Sequence, residues 1–184
     1  MDIHIFSLLL GWASILTCIL VLIWMIINVI SPKKYRPLDS IQYRDYMRII
    51  GFLAIFSTIS VLMYQYYYEL EVCELCWWQR IFMFPIDIIA ITSLYYRVRD
   101  NHISILILSL FWTFFAGYHY YYHFKGWVLW QSVFLPCSVG WLLPACTDNH
   151  GILAFWFLTI PGMALLIFLS IVMLSILAHM KRSI

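Results

Sequence analysis

IFSLLLGWASILTCILVLIWMIINVI, from Ile5 to Ile30, contains no Asp, Glu, Lys or Arg. A helix needs about 20 apolar residues to cross roughly 30 Å of hydrocarbon, so this stretch is long enough to span a bilayer. Four further stretches follow, from Met47 to Leu70, Trp77 to Tyr96, Ile103 to Phe124 and Gly151 to Ala178. Little two-residue alternation runs through them, which argues against barrel strands and predicts helices. Composition agrees. With 184 residues, 64% apolar and 11% charged, and a mean hydropathy of +0.88, the chain has too little polar surface to cover a water-soluble globule. The expected fold class is an all-α membrane protein, a four-helix transmembrane bundle plus one extra N-terminal transmembrane helix. The first stretch is read as a retained helix and not a signal peptide, because it is long and Asp2 and His4 stand where a basic start belongs.

Basic residues in short loops stay on the cytoplasmic side, so their placement orients the helices. Lys33, Lys34, Arg36, Arg44 and Arg48 lie between the first two stretches, Arg97 and Arg99 between the third and fourth, and Lys181 and Arg182 at the end. Only Arg80 and Lys125 border the other two loops. Those loops are therefore expected outside, with the N-terminus outside and the C-terminus in the cytoplasm. The net charge of +2 follows from this asymmetry and implies no nucleic-acid partner.

Of five cysteines, Cys73 and Cys76 fall in one outward loop, Cys137 and Cys146 in the other, and Cys18 mid-helix. Outside the cytoplasm thiols can oxidise, so a pair in each loop suggests disulfide chemistry. The first pair, CELC, directly precedes Trp77, where the third helix is expected to begin. Cys76 would then sit near a helix N-terminus, where unpaired amides and the helix dipole favour a thiolate. Arg80, four residues on, shares its helical face and adds a permanent positive charge. A structural disulfide and a snorkelling Arg fit the same residues. The second pair lies in PCSVGWLLPAC, where Gly140 and two prolines predict a loop. A disulfide there is either a static staple or an exposed, exchanging bond. Zinc held by two cysteine pairs is the less favoured reading in an oxidising compartment, and no metal is expected.

The run CELCWWQRIFMFP, Cys73 to Pro85, resembles the CxxC, aromatic, Gln-Arg and Pro pattern of DsbB/BdbC-type disulfide bond formation proteins. The order fits as well, with a second pair in the next outward loop and Pro161 inside the expected final helix. The resemblance covers about residues 47 to 178. It implies a DsbB-like redox domain over 47–184, preceded by an extra helix and cytoplasmic loop over 1–46. The extra helix has no counterpart in four-helix members, and the Cys137–Cys146 loop is shorter than in the enterobacterial type.

The resemblance further implies a bacterial inner-membrane enzyme that reoxidises a DsbA-like thioredoxin-fold thiol oxidase and passes electrons to the membrane quinone pool, ubiquinone or menaquinone. The partner would attack Cys137 or Cys146, Cys137 by analogy. The remaining sulfur would exchange with Cys73, leaving Cys76 facing the quinone. Arg80 would hold the quinone oxygen or the Cys76 thiolate, and His119 would lie by the quinone pocket. Trp77 and Trp78, otherwise part of an interfacial aromatic belt, are placed to stack on the ring. Asp87, mid-membrane, is expected to be neutral or hydrogen-bonded. Two other classes remain open. One is a vitamin K epoxide reductase-like enzyme, in which the CxxC follows the loop pair along the chain. The other is a non-enzymatic membrane protein with stapling disulfides.

Overall fold

The computed structural model of the chain describes residues 2–30, 41–96, 98, 101–128, 155 and 157–182. Five helices result: α1 (Ile3–Ile30), α2 (Tyr43–Tyr66), α3 (Glu74–Tyr96), α4 (Asn101–His123) and α5 (Ile160–Arg182). All are long and apolar enough to cross a membrane, as the sequence predicts. A π-helical turn, Phe124–Val128, continues α4.

Three helix starts differ from the hydropathy reading by three residues or more, each where a capping side chain sets the first turn. α2 begins at Tyr43, ahead of Met47. There the Gln42 amide donates to Asp45 Oδ2 at 3.3 Å, and Asp45 Oδ1 takes Arg48 at 2.7 Å. α3 begins at Glu74, ahead of Trp77, with the Cys73 sulfur accepting the Cys76 amide in its first turn. α5 begins at Ile160, not Gly151, and the described residues Phe155 and Phe157–Thr159 are not helical. The Gly162 amide donates to Thr159 Oγ1 at 3.4 Å. Pro161 therefore lies inside α5 as expected, in its first turn. The first turn tolerates proline because its amides lack helical partners.

Helices α2, α3, α4 and α5 pack as a closed ring, each against the next and α5 back against α2. Ile50, Met83, Ile86, Ile105, Phe168 and Ile171 fill its centre, essentially inaccessible. A Cβ built on Gly51 would lie 3.4 Å from Ala90 Cβ, so small residues bring α2 and α3 close. Helix α1 lies outside the ring and packs mainly on α5. Two hydrogen bonds tie it to α2, Ser7 Oγ to Tyr64 OH at 2.8 Å and Trp24 Nε1 to Tyr46 OH at 3.2 Å. Its outer face, with Leu9, Trp12, Leu16 and Leu20, is exposed for lipid.

The contacts also sort the helix ends. Tyr43 OH meets His102 Nδ1 at 3.3 Å, and His102 Nε2 meets His179 Nδ1 at 3.0 Å. The starts of α2 and α4 and the end of α5, with Arg44, Arg48 and Lys181, thus share one end of the bundle. The end of α2, the start of α3 and the end of α4 share the other. Lys33, Lys34, Arg36, Arg97 and Arg99, used for the charge asymmetry, lie outside the described residues.

Candidate functional site

Past Tyr66 the chain turns through Glu69, whose φ of 54° is uncommon for a side chain of this type. It re-enters the bundle at Cys73. CxxC spacing then takes on a local meaning. With Glu74 as the first helical residue, Cys73 is the N-cap and Cys76 the third residue. An N-cap side chain accepts the amide of the third helical residue, and the Cys76 amide donates to Cys73 Sγ at 3.4 Å. The two sulfurs lie 2.8 Å apart, close enough that a small movement would close a bond of about 2.05 Å.

Helix α4 supplies the third member. His119, buried, places Nε2 3.8 Å from Cys73 Sγ. Its other nitrogen, Nδ1, lies 3.2 Å from Gln79 Nε2. A side-chain amide nitrogen only donates, so Nδ1 accepts and the ring proton sits on Nε2, facing the sulfur. Donors thus converge on Cys73: the Cys76 thiol and amide, and His119. Outweighing the penalty of burial, they pull its pKa from 9.0 to about 5. The sequence reading put the stabilised thiolate on Cys76. It falls on Cys73 because the helix starts three residues earlier.

Arg80 follows one turn after Cys76 and is buried, 5% exposed. Its Nη1 donates to Gln65 Oε1 of α2, and its Cζ stands 5.3 Å from the Trp77 ring centroid. Its Nε is buried without a hydrogen-bond partner. A cavity of ≈ 100 Å³ opens beside it, lined by Gln65, Cys73, Cys76, Arg80, His119 and His123 among otherwise mainly apolar side chains. Trp78 turns instead to stack on Phe115, ring centroids 5.8 Å apart.

Of the residues singled out from the sequence, Cys73, Cys76, Arg80 and His119 come together around this cavity, with Trp77 against Arg80. Cys137 and Cys146 lie outside the described residues. Of the described residues on either side of them, Tyr120 of α4 and Phe157 meet, Tyr120 OH donating to the Phe157 carbonyl at 3.2 Å. Cys18 is half-buried in α1. Asp87 accepts a hydrogen bond from Thr58 Oγ1 at 2.5 Å, the hydrogen-bonded state expected for it. Gln65 and Gln79 were not singled out. Gln79 stands inside the CELCWWQR run, whereas nothing in the sequence links Gln65 to Arg80 across two helices.

The arrangement can carry two chemistries. A capped thiolate beside a second sulfur suits disulfide exchange. The sulfurs of Cys73 and Cys76 and a ring nitrogen of His119 also lie within 4.8 Å of one another, a donor set for a soft metal ion.

Residues 43–178 match the family described as disulfide bond formation protein DsbB. The chain is similar to the SPbeta prophage-derived disulfide bond formation protein B of Bacillus subtilis (strain 168), 31% identical over 97 residues, which cover 53% of this chain and 62% of that one. It is also similar to a probable disulfide formation protein C 2 of Bacillus anthracis, 27% identical over 139 residues, covering 71% and 87% respectively. The chain therefore spans less than two thirds of the B. subtilis relative. No solved structure matches it.

Proposed function

The chain belongs to the DsbB family of disulfide bond formation proteins, and from that premise we propose that it is a thiol:quinone oxidoreductase that reoxidises a DsbA-like thioredoxin-fold oxidase. The observation that carries the quinone half is Arg80, a buried guanidinium whose Nε has no partner beside an apolar cavity shared with both sulfurs. A buried donor without an acceptor is costly, and a ligand oxygen would satisfy it. The residues therefore fit a quinone, with Arg80 holding a carbonyl oxygen, Trp77 beside it and His119 across the cavity. A quinone bound there would supply an acceptor for two electrons and two protons.

The protein's own part is to order sulfurs and protons. A partner thiolate attacks the Cys137–Cys146 disulfide, Cys137 first by analogy with the family, and the sulfur released exchanges with the Cys73–Cys76 disulfide. The partner's second thiol then displaces Cys137, so that the partner leaves as a disulfide; Cys137 closes again on Cys146 and displaces Cys73, and the CELC pair is left as one thiol and one thiolate. The contacts of Cys73 hold that thiolate, and Arg80 faces negative charge as it develops. His119 offers its Nε2 proton at the sulfur. The basic residues at the opposite end support a cytoplasmic placement of that end, which puts the redox end outside a bacterial inner membrane.

The test is turnover. Purified protein in a lipid mimic, given a reduced thioredoxin-fold partner and either ubiquinone or menaquinone, should oxidise the partner only when quinone is present. Cys73→Ser, Cys76→Ser, Cys137→Ser and Cys146→Ser should each abolish the reaction, and Cys18→Ser should not. If all four site variants turn over like the parent, the redox reading is finished.

A further inference from the structure

The donor set around Cys73 has a use that disulfide exchange does not exhaust. Cys73 Sγ and His119 Nε2 are 3.8 Å apart. With metal bonds of about 2.3 Å to sulfur and about 2.0–2.1 Å to nitrogen, that separation subtends roughly 120° at a metal placed between them. This is a trigonal angle, and Cys76 Sγ is the third corner once it swings from 2.8 Å to about 4 Å from its partner. The group is walled by protein, with Cys73 and His119 both buried.

Charge then selects the ion. Two thiolates and a monovalent cation sum to −1, which the buried Arg80 one turn away cancels. With a divalent cation the same cluster would carry an uncancelled +1 in a low-dielectric surrounding. Among the described residues the set holds three donors and no fourth, which suits a cation content with trigonal coordination better than one that seeks a tetrahedron.

We propose that the reduced Cys73–Cys76 pair and His119 form a binding site for a monovalent soft cation, Cu(I), in a trigonal two-sulfur, one-nitrogen geometry. Binding forms two Cu–S bonds and one Cu–N bond; the ring proton of His119 passes from Nε2 to Nδ1, where the Gln79 amide turns over to present its oxygen, and any proton still on a sulfur is released to solvent. No electron is transferred. Sulfurs held in this way cannot close a disulfide, so Cu(I) inhibits disulfide formation. That consequence rests on the function proposed above, whereas the binding does not.

The experiment uses full-length protein carrying Cys18→Ser, Cys137→Ser and Cys146→Ser, so that the CELC pair is the only source of thiol. Reduced and kept anaerobic, it is titrated with Cu(I) against a Cu(I)-selective chelator and followed by thiolate-to-copper absorption and X-ray absorption. One ion per chain with two sulfur and one nitrogen neighbours is expected. The same protein with its CELC pair oxidised should bind none, a control that needs no further mutation. Cys73→Ser or Cys76→Ser should weaken binding by about a hundredfold or more, and His119→Ala by about tenfold with loss of the nitrogen neighbour. Zn(II) should bind at least about tenfold more weakly than Cu(I). No Cu(I) bound by the reduced pair, equal binding by the oxidised pair, or Zn(II) binding as tight as Cu(I) overturns the proposal. Wild-type turnover with quinone is measured alongside. Turnover indifferent to bound Cu(I) sinks this inference alone, and absent turnover in metal-free protein sinks the function while copper binding stands.

Discussion

The sulfur of Cys73 caps the helix that carries Cys76, taking the Cys76 amide at 3.4 Å. The CxxC pair is thus an N-cap and the third residue of its helix. Its thiolate falls on the capping sulfur, the one facing His119 at 3.8 Å.

The cap sets a pH dependence. The Cys73 pKa, drawn from 9.0 to about 5, leaves the reduced pair with one thiolate above that pH. Reduction then takes up two electrons and one proton, and below about pH 5 two electrons and two protons. The midpoint potential of the Cys73–Cys76 couple should therefore fall by about 30 mV per pH unit above the break and by about 60 mV below it. Equilibration in thiol–disulfide buffers, with alkylation and mass analysis of the variant lacking the other three cysteines, measures it. His119→Ala should move the break upward. A steep slope persisting to about pH 8 would mean that the thiolate is not stabilised.

Arg80 is held by Gln65 and keeps a spare donor, so its contribution should appear in ligand affinity. Arg80→Ala should raise the apparent KM for quinone by about 10- to 100-fold, the worth of a hydrogen bond to a charged group. Arg80→Lys should recover only part of this, because a lysine offers a point charge and not a fork. Initial rates over a quinone titration decide. An unchanged KM in Arg80→Ala would remove Arg80 from the site.

Long apolar runs made the five helices legible in the sequence, because hydrocarbon leaves a spanning chain few alternatives. Starts were less legible where capping is done by residues that hydropathy discards. Gln42 and Asp45 begin α2 inside what read as a basic loop, Cys73 begins α3 inside what read as the motif's loop, and Thr159 begins α5 well after the start of the apolar run. Within the site, Cys76 and Arg80 could be related because they share a helix and a four-residue spacing. Gln65 and Arg80 meet across a turn between two helices, and Cys73 and His119 across α3 and α4. No local periodicity encodes such pairings. The resemblance to a family, not the spacing of His119, pointed to its place.

The extra helix can be tested at its outer tie. Ser7 and Tyr64 share a buried hydrogen bond of 2.8 Å. Either Ser7→Ala or Tyr64→Phe leaves one hydroxyl buried without a partner, whereas the double variant leaves none. Thermal unfolding in detergent should show each single change lowering stability and the double change costing less than their sum, with a coupling of about 0.5–2 kcal/mol. Strictly additive costs would mean that α1 is not anchored at Tyr64.

Gly162, at the start of α5, lets α4 approach. A Cβ there would stand 2.8 Å from Tyr120 Cε2, 2.9 Å from Tyr120 Cδ2 and 3.0 Å from Leu158 Cδ1. Gly162→Ala must therefore push the Tyr120 ring aside, and with it the bond from Tyr120 OH to the Phe157 carbonyl. Overpacking of this kind costs about 1–3 kcal/mol. Tyr120→Ala should carry its own cost, since it removes a packed ring and that hydrogen bond. In a Tyr120→Ala background the new methyl meets only Leu158 Cδ1, the far end of a side chain that can turn away into the space the ring leaves, so Gly162→Ala should there cost much less than in the parent, and the costs should be far from additive. Unfolding midpoints of the two single variants and the double measure this directly. A full penalty for Gly162→Ala in the absence of the Tyr120 ring would mean that the glycine is required by the backbone of α5 or by Leu158 and not by Tyr120.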